Sequence, residues 1–324
     1  MSPERRRMQA VRPWLRVACW FVVAGLAVVV LVRLSGLEAH VGLLYGVVAL
    51  SPLLLLPAWV VLGLSFPARD PVLAGAAAVL VLLQLTWAAP DGPWAADRAQ
   101  GPTVRVVSSN VSDVNPTPLD LAEALLAEAP DVLVLVEYTP TMAQALDEAG
   151  VRDQLPNAAE DPRFGTAGSA IFSRLPMTAR EVIHPGDAPM MSATVLIDDV
   201  ATEVVAVHTT QPLVDVGRLD RQLSDLADLV HEASGPLVLA GDFNANTQVA
   251  GFRSILEAGG TDAARASGRG WSRSWPDRLL PLPVLLLDRV VVGGGVGVRD
   301  TAEGDGHGSD HRYVVADLVA PPSG

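Results

Sequence analysis

Eight side chains able to do metal or phosphate chemistry stand at the ends of short apolar runs. Asn110 follows the run at 104–108, Glu137 ends DVLVLV and His208 ends EVVAV. Asp242 and Asn244 end PLVLAG, Asp288 lies inside LLLDRVVV, and Asp310-His311 precede the run at 312–318. Buried strands normally end in turn residues. Carboxylates, amides and imidazoles at so many strand ends predict convergence on one face. Any one of them taken alone also fits a plain role as a turn residue, a surface acid or a structural histidine.

Two spacings are informative. In Gly241-Asp242-Phe243-Asn244 the acid and the amide are two residues apart, so in extended chain they point the same way. One can accept a proton from an attacking water while the other holds that water or a phosphate oxygen. In Ser309-Asp310-His311 the acid and the imidazole are adjacent and diverge, so they serve neighbouring subsites. His184, His231 and His307 have no comparable company, and His40 lies in a loop of the apolar region.

These residues must be positioned by elements, and the patterning gives a coarse set. Strands are predicted over 104–108, 131–136, 169–172, 193–197, 203–207, 236–240, 284–292 and 312–318. A helix starts at Thr117-Pro118, with threonine as N-cap and Asp120 near the positive end, and runs to Ala129. Others span 141–148 and 217–233, the latter with Leu219, Leu223, Leu226 and Val230 on one face. Strands apolar along their whole length must be covered on both faces, which two sheets packed together with outer helices would achieve.

Composition narrows the chemistry. The 324 residues contain no lysine, so all 23 basic residues are arginines; lysine nucleophiles, Schiff bases and P-loop lysines are excluded. The one cysteine, Cys19, lies in an apolar stretch, which rules out thiolate metal sites and intrachain disulfides. Eight arginines against five acids in residues 1–100 give +3, and the whole-chain −13 then leaves −16 for residues 101–324.

The sequence over residues 103–319 resembles the endonuclease/exonuclease/phosphatase superfamily of metal-dependent enzymes. The resemblance rests on seven motifs in the family's order: SSN at 108–110, VLVLVE at 132–137, GSAIFSR at 168–174, VAVHTTQP at 205–212, GDFNA at 241–245, LDRVVV at 287–292 and GSDHR at 308–312. It implies a four-layer α/β/β/α sandwich, two packed mixed sheets with outer helices, holding one active site. It further implies Glu137 as main divalent-metal ligand with Asn110 and Asp310, and Asp242 as base toward the attacking water, oriented by Asn244. His208 and His311 would donate to phosphoryl oxygens, with Asp288 holding His311. Oxygen ligands without cysteine suit Mg²⁺ or Mn²⁺. One departure is Arg289, where the family often has histidine; adjacent strand residues face opposite ways, so the Asp288 role should survive.

The region before residue 90 is of another kind. Residues 13–34, 41–66 and 71–89 are apolar and long enough to cross a hydrocarbon core of roughly 30 Å, so residues 1–90 are expected to be a membrane anchor. Arg5–Arg7 and Arg69 place the N-terminus in the cytoplasm and the domain at 103–324 outside the cytoplasmic membrane, with Arg33 on the unfavourable side. PDGPWAADRAQGP at 90–102 reads as a linker. Within 268–283, Arg269, Arg273 and Arg278 alternate with Trp271 and Trp275, either to contact substrate phosphates or bases or to form a packed surface loop.

The expected activity is therefore a membrane-anchored phosphodiesterase or endonuclease. The charge of −16 weakens, without excluding, a reading on long duplexes, which favour a basic footprint. Phospholipid or phosphomonoester hydrolysis is the alternative, and a non-catalytic membrane-bound module is a further one. No obligatory protein partner is implied.

Overall fold

The computed structural model describes residues 3–277 and 283–321. The chain divides into two compact units, Met1–Pro90 and Asp91–Gly324.

The first unit is helical: α1 (Pro3–Ser35), α2 (Gly42–Ala49), α3 (Ser51–Leu54), α4 (Pro57–Ala68) and α5 (Pro71–Ala88). Three stretches are long and apolar enough to cross a membrane: Pro13–Ser35, Ser51–Ala68 and Pro71–Asp91. The apolar run at 41–66, expected as one span, is instead broken into α2, α3 and most of α4. Pro52 and Pro57, which lack an N–H, sit in the first turns of α3 and α4. The carbonyl of Pro52 is taken by Gln84 Nε2 of α5, and Trp59 Nε1 donates to Gln84 Oε1 at 2.7 Å. Apolar surroundings favour such internal satisfaction of backbone groups.

The second unit runs β1 (Val104–Asn110), α6 (Pro118–Ala127), β2 (Val132–Val136), α7 (Pro140–Glu148), α8 (Val151–Gln154), β3 (Asn157–Asp161), β4 (Ser169–Ser173), β5 (Met177–Ile183), β6 (Met190–Ile197) and β7 (Val200–His208). It continues through α9 (Pro212–Glu232), β8 (Leu237–Asp242), α10 (Ala250–Glu257), β9 (Thr261–Asp262), α11 (Ala263–Ala266), β10 (Asp288–Gly293), β11 (Gly297–Gly304) and β12 (Tyr313–Val319). The strands form two six-stranded mixed sheets, in the orders β11-β12-β1-β2-β4-β3 and β5-β6-β7-β8-β10-β9. Parallel pairs, β1 with β2 and β7 with β8, sit near the middle of each.

Alternation along the strands builds the layers. Val106, Val134 and Ile171 of the first sheet pack with Ala206, Val238, Ala240 and Val290 of the second. Their neighbours Val107, Leu133, Leu135 and Phe172 point the other way, under Leu121 and Leu125 of α6 and Met142 and Leu146 of α7. Both faces of these strands are dry, which is why VLVLV reads as an unbroken apolar run. Truncating the fully buried Leu135 to alanine would cost about 2–5 kcal/mol. On the second sheet, Leu219, Leu223, Leu226 and Val230 of α9 are buried, and Gly251 of α10 lies close enough to Leu223 that a Cβ would meet it at 2.8 Å.

Residues 91–102, expected as a linker, are packed against this domain. Asp91 accepts hydrogen bonds from Thr247 Oγ1 at 2.6 Å and Gln248 Nε2 at 3.2 Å and faces Arg265 Nε at 3.3 Å. Trp94 meets Trp271 edge-on at 5.0 Å, and the Arg98 guanidinium donates to the Ser267 carbonyl. Glycine lets the chain lie close on both sides of this contact: a Cβ on Gly101, whose φ is +141°, would stand 3.0 Å from Val319 Cγ1, and one on Gly270 of the facing loop 2.6 Å from the Asp91 carbonyl.

Candidate active site

Register delivers the site. In the second sheet His208, Asp242 and Asp288 form one row, since His208 pairs with Asp242 across β7/β8 and Asp242 with Asp288 across β8/β10. In the first sheet Asn110 ends β1 opposite Val136, so Glu137 follows at the same end. The antiparallel β12 begins near the C-terminal end of β1, which brings in Asp310-His311. Gly241 is required in this row: its φ is +145°, and a Cβ there would lie 2.0 Å from the Val207 carbonyl oxygen.

Asp242 and Asn244 form a local unit. Asn244 N donates to Asp242 Oδ1 at 2.8 Å, and Asn244 Nδ2 reaches Asp242 Oδ2 at 3.3 Å and the Thr209 carbonyl at 2.9 Å. Asn244 has φ +45°, a conformation asparagine tolerates; Glu137 has φ +55°, which costs a longer side chain about 1–3 kcal/mol. Strain at a site acid is what a functional position can hold at the expense of stability.

Asn110 Nδ2 bridges the two sheets, donating to Glu137 Oε1 at 3.0 Å and Asp242 Oδ2 at 3.2 Å. Its Oδ1 accepts from Ser112 N at 3.0 Å, so the amide offers donors, not its oxygen, to the acids. Glu137 Oε2 accepts from Asp113 N at 3.1 Å. His208 Nδ1 donates to the Thr166 carbonyl at 2.9 Å, which turns Nε2 to within 3.5 Å of Glu137 Oε1.

On the other flank His311 Nδ1 lies 2.8 Å from Asp288 Oδ2, and its Nε2 lies 3.7 Å from Asp242 Oδ2. Burial alone would push the imidazole down. The carboxylates of Asp288, Asp242 and Asp310 outweigh it and lift the pKa to about 10, so His311 is an imidazolium at neutral pH. Burial, reinforced by Asp288, raises the Asp242 carboxyl above the usual carboxylate range against the pull of His311 and His208. Ser274 Oγ fixes the start of β10 by accepting from Leu287 N and Asp288 N at 3.0 and 3.1 Å. Asp310 Oδ2 accepts from Trp275 Nε1 at 3.3 Å.

The donor set fits a divalent cation. Asp242, Asp288 and His311 bring side-chain atoms within 4.8 Å of one another, all buried; as an imidazolium His311 has no lone pair to give, so the carboxylates are the donors. Asp288 Oδ1 is buried without a partner among the described residues. Three buried carboxylates, Glu137, Asp242 and Asp288, with a buried acceptor to spare suit a hard cation. This compact trio differs from the expected ligand set: Asn110 and Glu137 are joined, whereas Asp310 is hydrogen-bonded to Trp275.

Several contributors were not legible beforehand. The carbonyls of Thr166 and Thr209 and the hydroxyl of Ser274 orient His208, Asn244 and Asp288. They are backbone groups or distant in sequence, and no spacing marks them. In the 268–283 loop, Trp275 reaches Asp310, Trp271 packs on Trp94, and Arg269 faces Asp300 and Glu303 of β11 at 3.8 and 3.9 Å. Arg273 donates to the carbonyls of Trp271 and Ser272, and Arg278 lies outside the described residues.

The chain belongs to the Endonuclease/Exonuclease/phosphatase family, whose model matches residues 104–311. It is thereby a phosphoester hydrolase by class. The fold is also that of D. rerio TDP2: a humanized form has a TM-score of 0.58 at 19% identity, covering 67% of this chain and 99% of that one. The D. rerio protein crystallised with a single strand DNA product gives 0.58 at 18%, with the same coverage of both chains. An endonuclease/exonuclease/phosphatase from Beutenbergia cavernae gives 0.54 at 22%, covering 68% of this chain and 72% of its own. No curated protein matches the sequence.

Proposed function

We propose that the domain is a divalent-metal-dependent phosphodiesterase of nuclease type that cleaves by in-line attack of water. The observation that carries this reading is the buried Asp242, raised above the carboxylate range and held between Asn244, Asn110 and the His311 imidazolium. Asp242 takes a proton from the water whose oxygen bonds to phosphorus as the ester oxygen leaves with the bonding pair. A base whose pKa is shifted toward neutrality suits that transfer. Asn244 orients the water or the phosphate. His311, held by Asp288, and His208, held by the Thr166 carbonyl, donate to the non-bridging oxygens. Glu137 would be the main ligand of Mg²⁺ or Mn²⁺, with Asn110 and Asp310 as further ligands; Asn110 meets Glu137 through Nδ2, so its amide would have to turn to offer Oδ1. When bound, the cation would neutralise charge building on the phosphoryl oxygens.

DNA is the product bound by the D. rerio relative, which supports a nucleic-acid reading. The second reading, hydrolysis of a phospholipid or phosphomonoester, is favoured by the three membrane-capable helices. On this proposal residues 1–90 are a multi-pass anchor with a cytoplasmic N-terminus, and residues 103–324 act outside the cytoplasmic membrane without an obligatory protein partner. Protease accessibility in intact cells tests the sidedness: a protected domain would sink it.

The activity is tested with the full chain in detergent on duplex DNA, single-stranded DNA, RNA and phospholipid vesicles, each with Mg²⁺, Mn²⁺ or chelator. Chelator-sensitive turnover on one class is the expected result. A folded protein inert on all four with either metal would reject the catalytic reading in favour of a binding module.

A further inference from the structure

Beside the carboxylates lies a cleft of about 340 Å³ that the proposed mechanism does not use. It shares His208 and Thr209 with the site and extends between residues 166–169, Ala188-Pro189 and the first turns of α9. A volume of this order suits a small ligand or one substituent of a larger one.

The walls limit what can bind. Small and hydroxyl-bearing residues predominate, and among the described residues no phenylalanine, tyrosine, tryptophan or carboxylate lines the cleft. Among the described lining residues His208 is the one aromatic ring, and its imidazole is tied to the Thr166 carbonyl as the Arg218 guanidinium is to the 186–187 turn, so a nucleobase would find no large face to stack on. The fixed positive charge in the wall is that of Arg218, and it is pre-set. Arg218 Nε donates to the Gly186 carbonyl at 3.2 Å and Nη2 to the Asp187 carbonyl at 2.7 Å, which leaves Nη1, among the described residues, for a ligand. The turn that pins it is itself fastened, because Asp225 Oδ2 accepts from Gly186 N at 2.7 Å. Gly186 has φ +52°, and a Cβ there would strike Gln222 Cγ at 2.6 Å.

Gln222 supplies the second observation. It is fully buried yet contributes to the wall; its Oε1 accepts from Thr210 N at 2.7 Å. Its Nε2 has no partner among the described residues. A buried donor left unpaired costs stability, and an acceptor arriving in the cleft would remove that cost. A fixed guanidinium, a spare amide donor and several hydroxyls select a hydroxylated anion.

We infer that this cleft is a subsite for a sugar-phosphate or polyol-phosphate group attached to the scissile phosphate, with Arg218 and Gln222 as its specificity-determining residues. The assignment rests on the phosphodiesterase reading for its place in the substrate, but binding to the cleft can be measured without turnover.

The test is equilibrium titration of the full chain in detergent and EDTA, which removes metal-held phosphate from the readout. The probes are inorganic phosphate, glycerol 2-phosphate, ribose 5-phosphate and adenosine 5′-monophosphate. Ribose 5-phosphate should bind at least about tenfold more tightly than inorganic phosphate, with adenosine monophosphate no tighter than ribose 5-phosphate. Arg218→Met and Gln222→Met should each weaken ribose 5-phosphate by about tenfold. Arg221→Met, an exposed charge on the same helix outside the cleft, should not. Melting curves of all three variants establish that they fold, and Arg218→Gln serves if Arg218→Met does not. Glycerol 2-phosphate binding like ribose 5-phosphate would point to a polyol, and ribose alone to a sugar; either supports the subsite. Equal affinity for inorganic phosphate, variants that bind like the parent, or a tenfold gain from the base would overturn it. Failure of the phosphodiesterase reading appears separately, as absence of metal-dependent hydrolysis of bis(p-nitrophenyl) phosphate, and leaves the binding result intact.

Discussion

Asp288 and Arg289 are neighbours on β10, and the two sides of that strand carry opposite kinds of buried charge. Asp288 faces His311 and, through it, Asp242; this side crowds carboxylates, leaves Asp288 Oδ1 unpartnered and keeps the Asp242 carboxyl raised. Arg289 faces the other way, pairing with the buried Asp262, donating to the Leu286 carbonyl at 3.2 Å and lying 4.6 Å over the Phe252 ring. Asp262 in turn caps α11 through Ala264 N at 2.9 Å. One side is satisfied and stabilising, the other under-satisfied and poised. Unmet electrostatic need inside a protein marks the place where a ligand or a reaction is expected to supply the missing partner.

That contrast can be broken from either side. The largest stability effect should come from Arg289→Met, which strands Asp262 as an unpaired buried charge and should cost about 3–5 kcal/mol in denaturant unfolding, with kcat of the folded fraction kept. Beginning the chain at residue 99 removes Asp91 and Trp94 from Thr247, Gln248 and Trp271, and should cost about 2 kcal/mol by the same measurement. Asp288→Asn should leave the fold intact and lower the His311 pKa, read by NMR in EDTA, with kcat down about tenfold or more. Its stability effect has a defined sign. His311 is raised from 6.5 to about 10, so the stabilisation from Asp288 is fully present below pH 6.5 and lost as pH rises through 10. The gap in Tm between parent and variant should accordingly be widest near pH 6 and close by pH 10. Trp275→Phe, which removes one 3.3 Å hydrogen bond to Asp310, should lower activity only about threefold.

Much of this was legible in the sequence, and the gaps have a common cause. The strands with unbroken apolar runs, such as β2 and β8, were readable because both faces are buried. The four strands with no sequence signal, β3, β5, β9 and β11, occupy the four edges of the two sheets. The sequence of β5, MTAREVI, is exposed along most of its length, and β11 reads GVRDTAEG; edge strands carry polar residues that blur the pattern. The site showed the same division. Asn110, Glu137, His208, Asp242, Asn244, Asp288 and His311 could be named because they stand at the ends of central strands. The Thr166 and Thr209 carbonyls, Ser274 Oγ and the left-handed backbone at Glu137 could not, since they depend on which distant segments meet. The linker reading at 91–102 failed for a related reason. Glycine and proline signal a chain that does not continue regular structure, and they equally permit one that packs closely on a neighbour.

The most direct test of the account is Asp242→Asn, assayed for turnover of a phosphodiester with Mg²⁺ and for thermal stability without it. If Asp242 is the base in a site that sacrifices stability for chemistry, turnover should fall by about 10²–10⁴-fold while Tm stays level or rises, because a carboxyl raised by burial beside Asp288 has been neutralised. Retained turnover together with a large drop in Tm would contradict the account, and would make Asp242 a structural partner of Asn110 and Asn244 instead.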